Sequence, residues 1–507
     1  MSNTKGVVAA GHELTARAGA EILEDGGNAF DAALAGVFMT FVAEAVFSSP
    51  GGGGFLMARL EGGDSVKLFD FFTETPRRHW PANEVAFFPI YADFGPAKQE
   101  FYIGLGSSAT PGAVPGLFLW HEALCTLPMK RLIEPAVRAA RKGFALTEFQ
   151  AYLFTVIAPI LTASGGVAKI FAPSGKLMKA GGTFRNEGLA ETLEWLAEDG
   201  ARLFVDGDVG NAIVAQSRSL GGHLTSDDLK HYRVELRKPL YWRHRDAAVA
   251  LNPPPAASGP LIAFGLAYIE ALQQVGGKID AIALKRAMEA TNEARITHGE
   301  GLAARLAGGV LARELREAQR HPQAYRGTTH VSVIDAEGNA ASVSLSNGEG
   351  NGYIVGNFGF MLNNMLGEED LAAGALHAWR EDSRLSSMMA PTIILEADGT
   401  VTALGTGGSN RIRTAILQVA VNLLDHGMSL QNAVEAPRLH VERDGKTSFE
   451  PCLAEAAQSE FLALGEKAHA WPAQNLFFGG VHAARRHPKE GMEGAGDPRR
   501  QGQTRVV

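Results

Sequence analysis

Gly327-Thr328-Thr329-His330-Val331-Ser332-Val333-Ile334-Asp335 is the stretch on which the fold turns. Thr329 to Asp335 is β-rich, and so is Ala340 to Ser346; Ala336-Glu337-Gly338-Asn339 between them reads as a hairpin turn. Upstream, about residues 112 to 325, the pattern is mostly helical. Arg131–Lys142, Gly188–Glu198, Leu261–Leu272 and Ile282–His298 carry helical spacing, with Gly299 as a stop for the last. Downstream, strands are expected at Phe358–Leu362, Thr392–Glu396 and Val401–Leu404. A glycine turn follows, Gly405-Thr406-Gly407-Gly408, and then a helix from Ile412 to about His426. Helices, strands, strands, helices in this order indicate an α+β fold with two stacked sheets covered by helices.

The first third alternates. Glu13 to Asp25 has Leu14, Ala18 and Ile22 at four-residue spacing, with Gly26-Gly27 as its stop. Asn28 is placed to cap a second helix from near Asp31. The apolar stretch Ala32–Phe47, interrupted by Glu44, is too short to span a bilayer and reads as a buried helix. Pro50-Gly51-Gly52-Gly53-Gly54 then leads into a strand, Phe55–Leu60, a turn at Glu61-Gly62-Gly63-Asp64 and a second strand, Ser65–Phe71. Asn252-Pro253-Pro254-Pro255 is a rigid interruption rather than a linker, and no internal repeat divides the chain.

Composition narrows the class. The 507 residues carry 47 Lys+Arg against 55 Asp+Glu, with 46% hydrophobic residues, as in a soluble globular protein. A net charge of −8 offers no footprint for nucleic acid. Cys125 and Cys452 lie far apart and form no CxxC, so neither a disulfide framework nor a cysteine-rich zinc site is expected. The start lacks a charged segment followed by an apolar one, so the expectation is a cytoplasmic protein, or a periplasmic one if a leader has been trimmed. HExxH, GxSxG and Walker A patterns are absent, and the fifteen histidines do not cluster at ligand spacing.

Two readings of Thr328-Thr329 compete. The bland one is β-propensity at a strand entry. The sharper one is self-cleavage before Thr328, which would leave a residue carrying both a nucleophilic hydroxyl and an α-amine to act as base. Glycine at 327 suits it, because a strained turn and an N→O acyl shift need an unencumbered backbone.

Resemblance separates them. The chain resembles the γ-glutamyltranspeptidase family of N-terminal nucleophile hydrolases over nearly its whole length. The matching segments are Glu24–Ala33, Pro50–Phe55, Thr110-Pro111-Gly112, Asn252–Pro255 and Thr328–Asp335, then Leu362-Asn363-Asn364, Leu385–Met388, Pro391-Thr392, Gly407-Gly408-Ser409 and Asp497–Arg500. The resemblance implies a four-layer αββα sandwich. It also implies a precursor cut at Gly327–Thr328 into a large subunit (1–327) and a small one (328–507), intertwined as a heterodimer that can dimerise further. It assigns Thr328 as nucleophile, Ser346 as a hydroxyl that tunes the nucleophile's amine, and Gly407 and Gly408 as oxyanion hole. Ser386 and Ser387 match hydroxyls that bind a glutamyl α-carboxylate. Backbone N–H groups ahead of a helix are suited to a developing negative charge, and losing one such donor typically costs about 3 kcal/mol.

Departures fall in substrate recognition. Pro81 stands opposite the family's carboxylate-binding arginine, and Arg77 or Arg78 substitutes if the loop is offset. Met365 and Gly367 occupy the positions that grip the α-ammonium, where Glu368 serves if one residue is inserted. Asn347 takes the place of a substrate-contacting asparagine one position later. The function implied is transfer of an acyl group from a γ-glutamyl amide such as glutathione, through acyl-Thr328, to water or an amine, with no metal or organic cofactor. The alternatives are a glutaryl- or cephalosporin-type acylase and an unprocessed binding protein.

Overall fold

A computed structural model describes residues 4–62, 65–93, 98–297, 309–320, 323–324, 327–367 and 379–507. The decisive hairpin forms where it was read, with strands Thr328–Asp335 and Ala340–Ser346 paired antiparallel so that Thr328 lies opposite Ser346. Around it two sheets assemble. In chain order their strands are β1 (Gly6–Ala10), β2 (Gly53–Arg59), β3 (Val66–Phe71), β4 (Glu235–Arg237), β5 (Leu240–His244), β6 (Ala247–Leu251), β7 (Thr328–Asp335), β8 (Ala340–Ser346), β9 (Thr392–Leu395), β10 (Val401–Gly407), β11 (Gly480–His487), β12 (Gly491–Gly496) and β13 (Gln503–Val506). The first sheet runs β13-β1-β7-β8-β2-β3-β4 and the second β12-β11-β10-β9-β6-β5, with all these neighbours antiparallel. Both sheets combine strands from before and after Thr328, so the two halves of the chain share one fold.

The strand period of two sorts the first sheet's side chains between two cores. Val331, Val333, Val343 and Leu345 pack against α1 (Glu13–Glu24) and α2 (Ala29–Ala43). Val7, Phe55, Met57 and Ile334 turn the other way and join Val249, Ile393 and Ala403 of the second sheet. That sheet is covered by α3 (Ser258–Gln274), α4 (Ala281–Ile296) and α5 (Ile412–Leu424). The order is helix, sheet, sheet, helix: an αββα sandwich. α2 is buried on every side, as its mostly apolar sequence requires, and Asn28 with Asp31 closes its start as a capping box.

Three expectations need correction. Phe358–Leu362 is not a strand; only isolated bridges form there, because Gly356 and Gly359 take positive φ and turn the chain. Gly405–Gly407 is strand rather than turn, and its glycines allow the sheets to approach. The region read as helical also holds β4, β5 and β6, three short strands. The helix stop assigned to Gly299 lies outside the described residues.

Candidate active site

Thr328, His330 and Ser332 of β7 face the space between the sheets, as do Ser342, Ser344 and Ser346 opposite them. Ser332 and Ser342 donate hydrogen bonds to the carbonyls of His482 and Leu404 in the second sheet. The His330 ring lies 2.8 Å from both Ser332 and Ser344, and burial, with His482 adding to it, holds that ring neutral. Gly405 and Gly407 of β10 face this polar stripe. A Cβ on Gly405 would lie 2.2 Å from the His330 ring, and one on Gly407 2.0 Å from the Thr328 carbonyl oxygen. Side chains at either position would force the sheets apart.

Thr328 is 1% exposed. Immediately before it, Gly327 has φ +20°, and a Cβ there would come within 1.8 Å of the Gly348 carbonyl oxygen. Ser346 Oγ donates to the Gly327 carbonyl oxygen at 2.5 Å and accepts from Gly348 N–H at 3.2 Å. The carbonyl of the Gly327–Thr328 bond is therefore polarised by a hydroxyl that is itself oriented. Gly408 follows β10 with φ +132°; a short turn, Ser409–Arg411, separates it from α5.

Asn347, next to Ser346, is buried. Its Oδ1 accepts from Ser49 Oγ at 3.1 Å, while its Nδ2 has no hydrogen-bond partner among the described residues. Ser386 and Ser387 form a two-residue strand parallel to Gln323–Ala324, four residues ahead of Thr328. Ser387 Oγ accepts from Met389 N–H, and Ser386 Oγ, fully buried, has no partner among the described residues.

The basic pair is placed differently. Arg77 pairs with Asp382 at 3.0 Å near the surface and Arg78 is exposed. The buried guanidinium in this neighbourhood is that of Arg384, which pairs with Asp70 at 3.1 Å and Glu74 at 2.9 Å. Met365 is fully buried, and Gly367 packs so closely on the Tyr102 carbonyl that a Cβ would sit 2.2 Å away. Glu368 lies outside the described residues.

Sequence reasoning missed the residues behind Thr328. Thr329 Oγ1 and Thr15 Oγ1 donate to the two oxygens of Glu44, at 2.5 and 2.7 Å, and burial raises the pKa of that carboxyl. Arg500 Nη1 donates to the Thr328 carbonyl at 3.0 Å, and its guanidinium lies over the Phe47 ring. The turn carrying Arg500 is held by Asp497, which pairs with Arg438 at 2.7 Å and Arg499 at 3.2 Å; Arg499 also pairs with Glu450 at 2.5 Å. In the sequence Asp497–Arg500 stands out only as a matching motif. Among the described residues no group of His, Cys, Asp and Glu is arranged to hold a metal ion, and no helix is long and apolar enough to cross a membrane.

Comparison with known proteins shows the family and the fold. The family profile described as Gamma-glutamyltranspeptidase matches residues 15–295 and 281–507. Acylase ACY 1 proenzyme of Pseudomonas sp. (strain SE83) is 32% identical, over 97% of this chain and 92% of its own. Glutathione hydrolase proenzyme of Escherichia coli (strain K12) is 28% identical, over 98% and 90%. The crystal structure of cephalosporin acylase from Bacillus halodurans superposes with a TM-score of 0.82 at 23% identity, over 99% of this chain and 96% of that one, a likeness of fold.

Proposed function

The chain belongs to the γ-glutamyltranspeptidase family, and we propose that it cuts itself before Thr328 and then hydrolyses an amide through acyl-Thr328. The observation that carries this reading is the hydrogen bond from Ser346 Oγ to the Gly327 carbonyl at a glycine–threonine junction. In self-cleavage, Thr328 Oγ attacks the Gly327 carbonyl carbon and the C–N bond breaks, leaving an ester and a free amine on Thr328. Water then hydrolyses the ester, so Gly327 ends the large subunit and Thr328 begins the small one. In turnover the freed α-amine takes the hydroxyl proton and Oγ attacks the substrate carbonyl. N–H groups at Gly407-Gly408 stabilise the oxyanion, and the leaving amine departs with the proton. Water, or a second amine, resolves the acyl-enzyme.

The acyl group we favour is a dicarboxylic one without an α-amine, as in glutaryl amides. Met365 and Gly367 supply no charge for an ammonium, and burying one unpaired would cost several kcal/mol. A γ-glutamyl donor such as glutathione is the second reading, supported by Ser386 and Ser387 and by the glutathione hydrolase relatives.

Denaturing electrophoresis tests the cleavage: bands of roughly 35 and 19 kDa are expected from the residue counts, the smaller beginning at Thr328. Thr328→Ala leaves one full-length, inactive band; cleavage at the same bond in that variant would refute the assignment. A single band from the unmodified protein would support a binding function instead. Hydrolysis of glutaryl against γ-glutamyl anilides separates the two donors.

A further inference from the structure

Four buried arginines cluster around this site or its supports, and one differs from the rest. Arg384, Arg438 and Arg499 each pair with a carboxylate within 3.2 Å. Arg500 is 7% exposed, yet no carboxylate lies within ion-pair distance of it among the described residues. Its Nη1 meets the Thr328 carbonyl, while its Nε has no hydrogen-bond partner among the described residues. The nearby acids are committed elsewhere. Both oxygens of Glu44 accept from threonine hydroxyls, and Asp497 is held between Arg438 and Arg499. Burial lowers the Arg500 pKa to about 10, so the cation persists at neutral pH.

The guanidinium faces a cavity of about 30 Å³ whose walls include Thr328, Gly407, Glu44, Phe47 and His482. That volume accommodates a carboxylate group, and Phe47 supplies a ring under the guanidinium, its centre 5.1 Å from the guanidinium carbon. A Cβ on Gly407 would lie 2.3 Å from Arg500 Nη1, so cation, oxyanion glycine and nucleophile share one site.

We propose that Arg500 is a specificity-determining residue that receives a carboxylate of the substrate beside Thr328. The inference rests on the amide-cleaving reading above. The carboxylate belongs either to the far end of the acyl group or to the departing amine, since both lie within a few bonds of the carbonyl that Thr328 attacks. A buried, incompletely paired guanidinium gains most from a ligand carboxylate, which supplies charge and planar acceptors together.

Four anilides test it: glutaryl or pentanoyl as the acyl group, each joined to 4-nitroaniline or to 3-carboxy-4-nitroaniline. The cleaved enzyme is expected to prefer a carboxylated partner in one arm at least tenfold in kcat/KM, and Arg500→Gln to erase that preference. The arm affected identifies the source. If Arg500→Gln lowers charged and neutral substrates by the same factor, or leaves the preference intact, the proposal is overturned and Arg500 only holds Thr328. Should Arg500→Gln fail to mature, Arg500→Lys carries the test, with an intermediate loss of preference expected. A binding readout stands apart from turnover: 10 mM-scale (roughly) glutarate, but not the uncharged diamide, is expected to raise the Tm of the wild type and not of the variant. An Arg500-dependent shift with four inert anilides sinks the amide reading and keeps the carboxylate site. No shift with active anilides and an unchanged preference does the reverse.

Discussion

Ser346 and Gly327 are joined by a 2.5 Å hydrogen bond, from the side-chain hydroxyl to the carbonyl of the residue that precedes Thr328. Nineteen residues separate the two, and the β7–β8 hairpin register brings them together. If that carbonyl becomes an oxyanion during self-cleavage, Ser346 is its donor.

Ser346→Ala is therefore expected to slow cleavage on the order of 10²-fold, the usual cost of one oxyanion donor. The appearance of the smaller band over hours measures it. Cleavage at the wild-type rate would remove Ser346 from the mechanism. Ser346→Thr keeps the hydroxyl and is expected to restore most of the rate.

Gly407→Ala places a methyl 2.0 Å from one backbone oxygen and 2.3 Å from the Arg500 guanidinium. The backbone oxygen belongs to β7 and cannot yield without moving the strand, so activity is expected to fall by about 10²-fold or more. Gly427→Ala is the control. It strains a positive φ, +60°, which Gly407 does not have, but nothing lies within 4 Å of the added Cβ, so it is expected to cost only about 1–2 kcal/mol of stability and leave turnover alone. Thermal unfolding and initial rates on the two variants distinguish closeness from backbone strain.

The hairpin was legible because its evidence is local: alternating residues, a turn at Ala336–Asn339 and a second alternating run. The glycines of β10 were not. Gly405-Thr406-Gly407-Gly408 has turn composition, and only the facing His330 and Thr328 explain why a strand needs it. β4, β5 and β6 escaped because three short strands add little periodicity to a helical region. Glu44 read as a break in an apolar stretch, and Arg500 as the end of a motif. Their positions beside Thr329 and Thr328 depend on contacts across 285 and 172 residues, which no spacing encodes.

Buried histidines make the fold sensitive to acid. Burial is the chief cause that lowers the pKa of both His12 and His482 to about 4, from an ordinary 6.5. The folded state thus binds fewer protons than the unfolded chain below about pH 6.5. Stability from these two residues is full above that pH and is lost as pH falls toward 4, on the order of 3 kcal/mol each. Glu44 acts in the opposite sense: its raised pKa favours the fold in acid and that contribution is lost as pH rises. Urea unfolding at pH 7.5 and 4.5 is expected to give a lower midpoint in acid, with a smaller difference in His482→Gln. An equal difference in that variant would discount His482.

Asp497 gives the sharpest separation between support and chemistry. Burial opposes its ionisation, but Arg438 and Arg499, with N–H donors from Val481 and Arg499, hold its pKa below the ordinary value. Asp497→Asn keeps the shape and removes the charge, leaving two buried guanidinium groups with Glu450 as their remaining nearby acid. Breaking a buried pair this way typically costs about 3–5 kcal/mol, and urea unfolding reads it as a lower midpoint at unchanged slope. The same turn carries Arg500 to the Thr328 carbonyl, so turnover should fall as well. Glu450→Gln removes one of the two carboxylates that pair with Arg499 and leaves the Asp497–Arg438 and Asp497–Arg499 pairs. It is expected to lower stability comparably while reducing kcat less. Equal losses of kcat in the two variants would show that destabilisation alone, rather than the placement of Arg500, limits the rate.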